Sequence, residues 1–374
     1  MKVLSITPWY PHKKNSASGI FVRDLAVATS KYVKSFLVHI YLEKNLGKAV
    51  KVEKFQDDSI IVYRISVREL PAKLHFFLYP LVVFELLKIE REVKPDIIHA
   101  HVFTAGILSI ILGKLRKKPV MLTEHMKFQK RFEKRLSDKL RVFLGKVVLS
   151  SADAVVVPSN FFKRYLLNLG VSNKIFVIPN AVNTESFRRG NNAGHKTRGI
   201  FVGWLDPIKG VDKLLKAVKN LRPDLNDFHL LLVGGGSRFS YYKKLSEDYG
   251  LSDVVEFLGS KKREEVSKIL PETDFLILPS LWEVFGVVVI EAMACGKPVI
   301  VSDKGQKEIV VRKTGIVVDV TDEKAFEQAI EWMIDNHRKF PSSFIRKYVK
   351  NKFSFPNIGR RYFELYQRVV FGEL

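Results

Sequence analysis

Glu283 and Glu291 stand eight residues apart in the stretch LILPSLWEVFGVVVIEAMACGKPVIV, residues 276–301. The pattern predicts a strand over Phe275–Leu278, a Pro279-Ser280 break, a helix opening near Phe285 and a second strand from Pro298. A helix turns roughly 100° and rises about 1.5 Å per residue, so Glu283 falls at its mouth and Glu291 on its flank. Phe285, Gly286 and Val287 then carry first-turn N–H groups with no partner inside the helix, and Gly286 lets a ligand approach them. Such a helix end suits a phosphate or a sugar hydroxyl. An amphipathic helix with one solvated and one capping glutamate has the same spacing, so spacing alone leaves both readings open.

A second layout for phosphate lies in IFVGWLDPIKGVDKLLKAV, residues 200–218. A strand leads to Gly203, and Lys209-Gly210 opens a helix, which sets a cation beside another helix N-terminus. Arg238 follows the next strand in LLLVGGGSRF, and Gly259 ends the strand of VVEFLGSKK. In the first half, Gly19 ends the loop PWYPHKKNSASG, and His125 stands just beyond the strand of VMLTEH. His99 and His101 end another strand; they are expected to project to opposite faces and so to make a poor metal pair. No Asp-x-Asp pair occurs in the sequence, so a metal-bridged diphosphate is not expected.

The run E-x-F-G-x4-E followed by AMACGKPVI resembles the donor-site signature of the family-4 retaining glycosyltransferases. That resemblance extends over nearly the whole chain. It implies the GT-B fold: α/β, two Rossmann-like domains facing each other across a cleft, with a C-terminal helix crossing back to the first domain. It also implies a nucleotide-diphosphate sugar as donor substrate, with no cofactor and no metal. On the family pattern G-R-L-x4-K-G, Lys209 matches the lysine that holds the donor diphosphate, near Gly203. Trp204 occupies the arginine position, which leaves Arg238 as a conceivable substitute. Glu291 would accept the ribose hydroxyls, and Glu283 would orient the donor sugar. Gly259-Ser260 resembles the base-binding loop, and Gly19 stands in the family's glycine loop, where two glycines are common. His125 matches the active-site histidine, implying a hydrogen bond to a donor-sugar hydroxyl. SDKGQKEIV is one residue shorter than the family's S-D-x-G-G-x-P-E-[IV]-[IV]. In PNAVNTESF, Ala181 and Asn183 replace the family's glycine and aspartate.

The elements that must position these residues are strands at Val3–Thr7, Phe36–Tyr41, Ile60–Ile65, Ile97–Ala100, Val120–Thr123, Ala154–Val157 and Ile175–Ile178. Helical patterns separate most of them, as a parallel sheet needs. In open α/β sheets ligands bind beyond the carboxyl ends of the strands, where the loops above lie. A chain of 374 residues, 47 % hydrophobic with 27 Phe, can fill two cores. The division expected is 1–187 for an acceptor-side domain, 188–198 for a linker, 199–354 for the nucleotide-sugar domain and 355–374 for the returning helix. The one cysteine, Cys295, excludes an internal disulfide and is expected to be structural.

Net charge is +23, with 33 Lys+Arg against 15 Asp+Glu in residues 1–190 and 29 against 24 in the rest. Such asymmetry points the first half toward a polyanion. Residues 114–146 carry 12 Lys+Arg against 3 acids. Within them Phe128, Phe132, Leu136, Leu140, Phe143 and Val147 recur at helical spacing, with Lys127, Lys130, Arg131, Lys134 and Arg135 among the intervening bases. Such a helix is a solvated surface helix, a membrane anchor or a nucleic-acid face. The apolar stretch 74–93, with Pro80 near its start, either packs on the sheet or dips into lipid. Met1-Lys2 runs into VLSIT with no cleavage site, and no apolar run reaches a membrane span. A cytoplasmic enzyme is expected, soluble or peripheral on the cytosolic membrane face, with a glycan or lipid-linked acceptor. The alternatives are a soluble glycogen- or sucrose-synthase-like transferase, an epimerase of the same fold, and a nucleic-acid binder. The last has no zinc-finger spacing or RNP-type aromatic run behind it, so nucleic acid is not expected as a partner.

Overall fold

The computed structural model describes all residues except 14, 16, 71–74, 129–135, 191–193, 195 and 223–226. They form two compact units, Met1–Ala181 with Phe355–Leu374, and Val182–Ser354. The break falls before residue 187 because Val182 N–H bonds the Phe353 carbonyl at 2.8 Å and Phe187 is buried in the second unit's core.

The first unit holds strands β1 (Lys2–Thr7), β2 (Lys34–Glu43), β3 (Val50–Asp57), β4 (Ile60–Arg68), β5 (Ile97–His101), β6 (Val120–Thr123), β7 (Ala154–Val157) and β8 (Ile175–Val177). Its helices are α1 (Ile20–Ser30), α2 (Tyr79–Val93), α3 (Val102–Arg116), α4 (Leu136–Ser150) and α5 (Asn160–Asn168). The sheet order is β3-β4-β2-β1-β5-β6-β7-β8, parallel except for β3, which runs antiparallel to β4. β3 was not expected. None of its eight residues is buried and four are charged, so no buried alternation marks it, and charge on an edge strand blocks further pairing. The chain starts at β1, works out to the edge strand β3, turns back into β4, and crosses to β5 on the other side of β1. The order therefore reverses between β1 and β5.

The second unit holds β9 (Thr197–Val202), α6 (Val211–Leu221), β10 (Phe228–Val233), α7 (Phe239–Asp248), β11 (Val255–Gly259), α8 (Arg263–Ile269), β12 (Phe275–Leu278), α9 (Val287–Ala294), β13 (Val299–Ser302), β14 (Gly315–Val318), α10 (Glu323–Asn336) and α11 (Ser342–Phe353). Its all-parallel order is β11-β10-β9-β12-β13-β14, which reverses between β9 and β12. β12 and β13 are buried along their length, as central parallel strands are. Cys295 is fully buried in this core, where burial pushes its thiol up to about 12.

The last helix, α12 (Phe355–Val370), belongs to the first unit. Ile358, Tyr362, Leu365, Tyr366 and Val369 recur at helical spacing and share a core with α1. Gly359 makes that approach possible, since a Cβ there would meet the Ala28 carbonyl oxygen at 2.1 Å. Gly359→Ala gains about 1 kcal/mol of helix propensity but forces two backbones apart. The expected result in urea unfolding is a net loss of about 1–3 kcal/mol; a variant as stable as the parent would contradict this packing.

Candidate functional site

In an open parallel sheet the crevice forms where strand order reverses. In the second unit that point lies between β9 and β12, so the loops after these strands, 203–210 and 279–286, must meet there. They are clamped by backbone. Gly210 has φ +69°, and a Cβ on it would strike the Pro279 carbonyl oxygen at 2.2 Å. Leu281 N–H bonds the Ile208 carbonyl at 2.8 Å, and Glu283 N–H bonds Lys304 O at 3.1 Å. The result is an ion pair: Lys209 Nζ donates to Glu283 Oε2 at 2.5 Å, and Ser280 Oγ reaches the same oxygen at 3.4 Å.

The helix α9 starts at Val287 with Gly286 at its cap and no side-chain cap. Val289 N–H bonds Gly286 O at 3.0 Å, so it is the N–H groups of Val287 and Val288 that have no intrahelical acceptor. A Cβ on Gly286 would lie 3.0 Å from buried Gln306 Oε1 and 3.2 Å from a Leu278 methyl, so glycine fits the space best. Glu291 lies one turn on and is 7 % exposed. Its Oε1 accepts from Arg263 Nε at 2.9 Å, and Arg263 Nη2 lies 2.8 Å from the same oxygen in an ion pair. The Arg263 guanidinium also lies 5.3 Å from the Phe187 ring. Sequence reasoning missed Arg263. Its only local signal is the basic run Lys261–Arg263, and its partner Glu291 lies 28 residues on, in a different helix.

The glycines after β9, β10 and β11 are laced together. Gly203 N–H bonds the Val233 carbonyl at 2.9 Å, Gly234 N–H bonds Gly259 O at 2.9 Å, and Leu205 N–H bonds Gly235 O at 2.8 Å. Gly234 has φ +152° and would place a Cβ 1.8 Å from Gly203 O. Gly259 has φ +68° with open space before it. Thus Gly203, Lys209, Gly259, Glu283, Phe285, Gly286, Val287 and Glu291 lie on loops or helix ends at one edge of this sheet. Trp204 is 53 % exposed. Arg238 stands exposed at the start of α7, its guanidinium 5.4 Å from the Tyr241 ring.

Gly19, His125 and Lys127 belong to the first unit. Gly19 has φ +60° and closes its loop so tightly that a Cβ would meet Trp9 O at 2.2 Å. The next turn puts Phe21 4.5 Å from the His125 ring. His99 and His101 do not point to opposite faces. Residues two apart on a strand share a face, and their ring centroids are 4.2 Å apart. His101 Nδ1 lies 3.4 Å from His125 Nε2, while His99 bonds Tyr366 Oη at 2.8 Å and Thr123 Oγ1 at 2.7 Å. Desolvation presses all three imidazoles well below their ordinary range. Beside them Glu124 is fully buried. Its carboxylate accepts N–H bonds from Phe103, His125 and Met126, yet burial outweighs these and raises it to about 7. At this junction Val102 has φ +63°, a strained state for a β-branched residue.

Phe128 is not part of the amphipathic helix expected from its spacing: it is fully buried, with Gly145 of α4 against its ring. Lys127 is half-buried, 6.0 Å from the Tyr165 ring. Phe132, Lys130, Arg131, Lys134 and Arg135 lie outside the described residues.

Two Rossmann-like units, each a largely parallel sheet with one reversal of strand order, define the class of fold. Residues 182–350 match the family model "Glycosyl transferases group 1", and residues 22–186 match "Glycosyltransferase Family 4". The chain belongs to these glycosyltransferases. An uncharacterised glycosyltransferase of Methanocaldococcus jannaschii is 30 % identical over 244 residues, 64 % of this chain and 66 % of the relative. A D-inositol 3-phosphate glycosyltransferase of Corynebacterium diphtheriae is 27 % identical over 302 residues, 73 % of this chain and 69 % of the relative. Among solved structures, sucrose-phosphate synthase from Thermosynechococcus elongatus has a TM-score of 0.79 at 23 % identity, covering 100 % of both chains. Anabaena HepE in complex with UDP has a TM-score of 0.75 at 18 % identity, covering 98 % of this chain and 100 % of that one. These likenesses show the GT-B fold.

The buried imidazoles fix a pH dependence. An imidazole held below its ordinary pKa stays neutral when folded but takes a proton when unfolded, so its stabilisation is lost as pH falls below about 6.5. Each of buried His39, His99 and His101 should lose about 2 kcal/mol between pH 6.5 and 5. Glu124 acts oppositely, since its raised carboxyl gains stability as pH falls from about 7 toward its unfolded value. Three imidazoles outweigh one carboxyl. The urea midpoint should therefore be lower at pH 5 than at pH 7.5; an equal or higher midpoint would show that these imidazoles are not buried neutral.

Proposed function

We propose that the chain transfers a sugar from a nucleotide-diphosphate sugar, with retention and without metal, to a lipid-linked or cell-envelope glycan at the cytosolic membrane face. The observation that carries the donor half is Lys209 and the uncapped N-terminus of α9 meeting at the switch point of one sheet. Breaking the bond from the anomeric carbon to the phosphate oxygen leaves the electron pair, and growing negative charge, on the departing diphosphate. Lys209 and the α9 N–H groups stabilise that charge, which should be the largest contribution to rate. Once phosphate takes Lys209, Glu283 is free to accept from donor-sugar hydroxyls. Glu291, held by Arg263, accepts from the ribose hydroxyls. HepE is recorded with UDP and with UDP-glucose, which favours a uridine donor here as well. No covalent nucleophile is assigned.

The acceptor half rests on the surface of the first unit. Among the described residues no helix is long and apolar enough to cross a membrane. Three neighbouring helices nevertheless expose large apolar side chains: Tyr79, Leu81 and Phe84 on α2, Ile107, Ile111 and Leu115 on α3, and Leu140, Phe143, Leu144 and Val147 on α4. Their inward faces, such as Val82, Leu86 and Ile89 of α2, fill the core, so the stretch expected either to pack or to meet lipid has a face for each. Arg91, Lys94, Lys117 and Lys118 ring one hollow at the carboxyl ends of α2 and α3. Exposed apolar groups rimmed by cations fit an anionic bilayer surface.

Lys209→Ala should lower turnover roughly 100- to 1000-fold, and Glu291→Gln should abolish measurable nucleotide binding. Near-parental kinetics in either variant would sink the donor site. Independently, the chain should float with anionic liposomes and lose that property on Ile111→Glu plus Phe143→Glu. A chain that never floats would favour a soluble synthase like the sucrose-phosphate enzyme it resembles in fold.

A further inference from the structure

One face of the first unit's sheet holds a cleft that the transfer chemistry does not use. Leu37 of β2 and Val62 of β4 lie in the core shared with α1 and α12. Farther along the same face the residues become polar and aromatic: His39 and Tyr41 on β2, paired with Arg64 and Ser66 on β4. With His12 from the loop after β1 and Phe55 from β3, these strands line a cleft of about 540 Å³. It lies toward the carboxyl ends of parallel strands β2 and β4, where such sheets bind ligands.

Arg64 is its fixed point. Its Nε donates to His39 Nδ1 at 3.2 Å, its Nη2 donates to Pro11 O at 3.1 Å, and its guanidinium lies 5.1 Å from the Phe55 ring centre. His39 is buried and kept neutral by desolvation, and it also bonds the Pro8 backbone, so Arg64 is held by a partner that is itself held. A guanidinium has five N–H donors, and two are used here. Two of the three lysines lining the cleft are already compensated: Lys51 pairs with Glu53 at 2.8 Å, and Lys54 with Glu92 at 2.6 Å. Glu53 is the cross-strand neighbour of Arg64 and feels its charge, but its carboxylate is bonded to Lys51, and no described carboxylate lies within ion-pair distance of Arg64. Beside it Tyr41 and His12 form an aromatic wall, with ring centres 4.7 Å apart.

We propose that this cleft binds an anionic sugar unit of the acceptor glycan, its carboxylate or phosphate on Arg64 and its ring against Tyr41. The planar guanidinium suits either anion through two parallel N–H bonds, and the aromatic face offers an apolar wall to a pyranose. A neutral sugar would cover the Arg64 donors without answering their charge, so it binds less well. The inference rests on the reading of the first unit as the acceptor-binding unit.

Isothermal titration of the full chain with glucuronate, glucose 6-phosphate and glucose tests it, using the parent, Arg64→Met and Tyr41→Ala. UDP affinity and melting midpoint serve as controls for the donor site and the fold. The expected result is that at least one anionic sugar binds tenfold or more tightly than glucose. Both variants should weaken it tenfold or more while UDP affinity stays at the parental value. The two anions separate a uronate-type from a phosphate-type acceptor. Parental binding of neither anion, or unchanged binding in Arg64→Met, overturns the proposal. If Arg64→Met melts early, Tyr41→Ala decides by the same criterion. UDP binding without anionic-sugar binding sinks the cleft alone; the reverse sinks the donor reading and leaves the cleft.

Discussion

The proposed donor site depends on one close approach of backbone to backbone. Gly210 can sit over the Pro279 carbonyl only because it lacks a Cβ and tolerates a positive φ. That contact brings the start of α6 against the break after β12, and Lys209 reaches Glu283 as a consequence. Sheet topology makes the approach necessary, since β9 and β12 are neighbours at the reversal of strand order. The two acids thus each begin with a cationic partner, Lys209 for Glu283 and Arg263 for Glu291. A site arranged in this way carries no uncompensated buried charge before a nucleotide enters, and the ligand exchanges partners instead of creating them.

The first unit repeats the logic with different chemistry. Its strand order reverses between β1 and β5, and there the Gly19 loop, strained Val102 and three neutral imidazoles gather. Glu124 holds this corner by accepting backbone N–H bonds from the start of α3 and from His125. The imidazoles are therefore placed to exchange hydrogen bonds rather than to carry charge. A His125 that stays neutral suits contact with a sugar hydroxyl better than proton transfer.

Much of the fold was legible because buried parallel strands are short apolar runs, and Val120–Thr123, Ala154–Val157 and Phe275–Leu278 fall where the pattern put them. β3 was not, because a charged edge strand buries nothing that periodicity could detect. Lys209, Glu283 and Glu291 carried a local signal in their spacing from glycines and helix starts. Arg263 did not, since its partner Glu291 lies 28 residues away in sequence, on another helix. Phe128 shows the converse: its spacing suited a helix, but its ring packs on Gly145 in the core. Arg64 looks like any strand cation until the sheet register places it across from His39.

The most direct measurement is a crystal structure of the full chain with a nucleoside diphosphate such as UDP. The phosphates should lie within hydrogen-bond reach of Lys209 Nζ and the α9 N-terminus, with the ribose on Glu291 and the Lys209–Glu283 pair opened. A nucleotide bound away from the loops of 203–210 and 279–291, or no binding at all, would contradict the account.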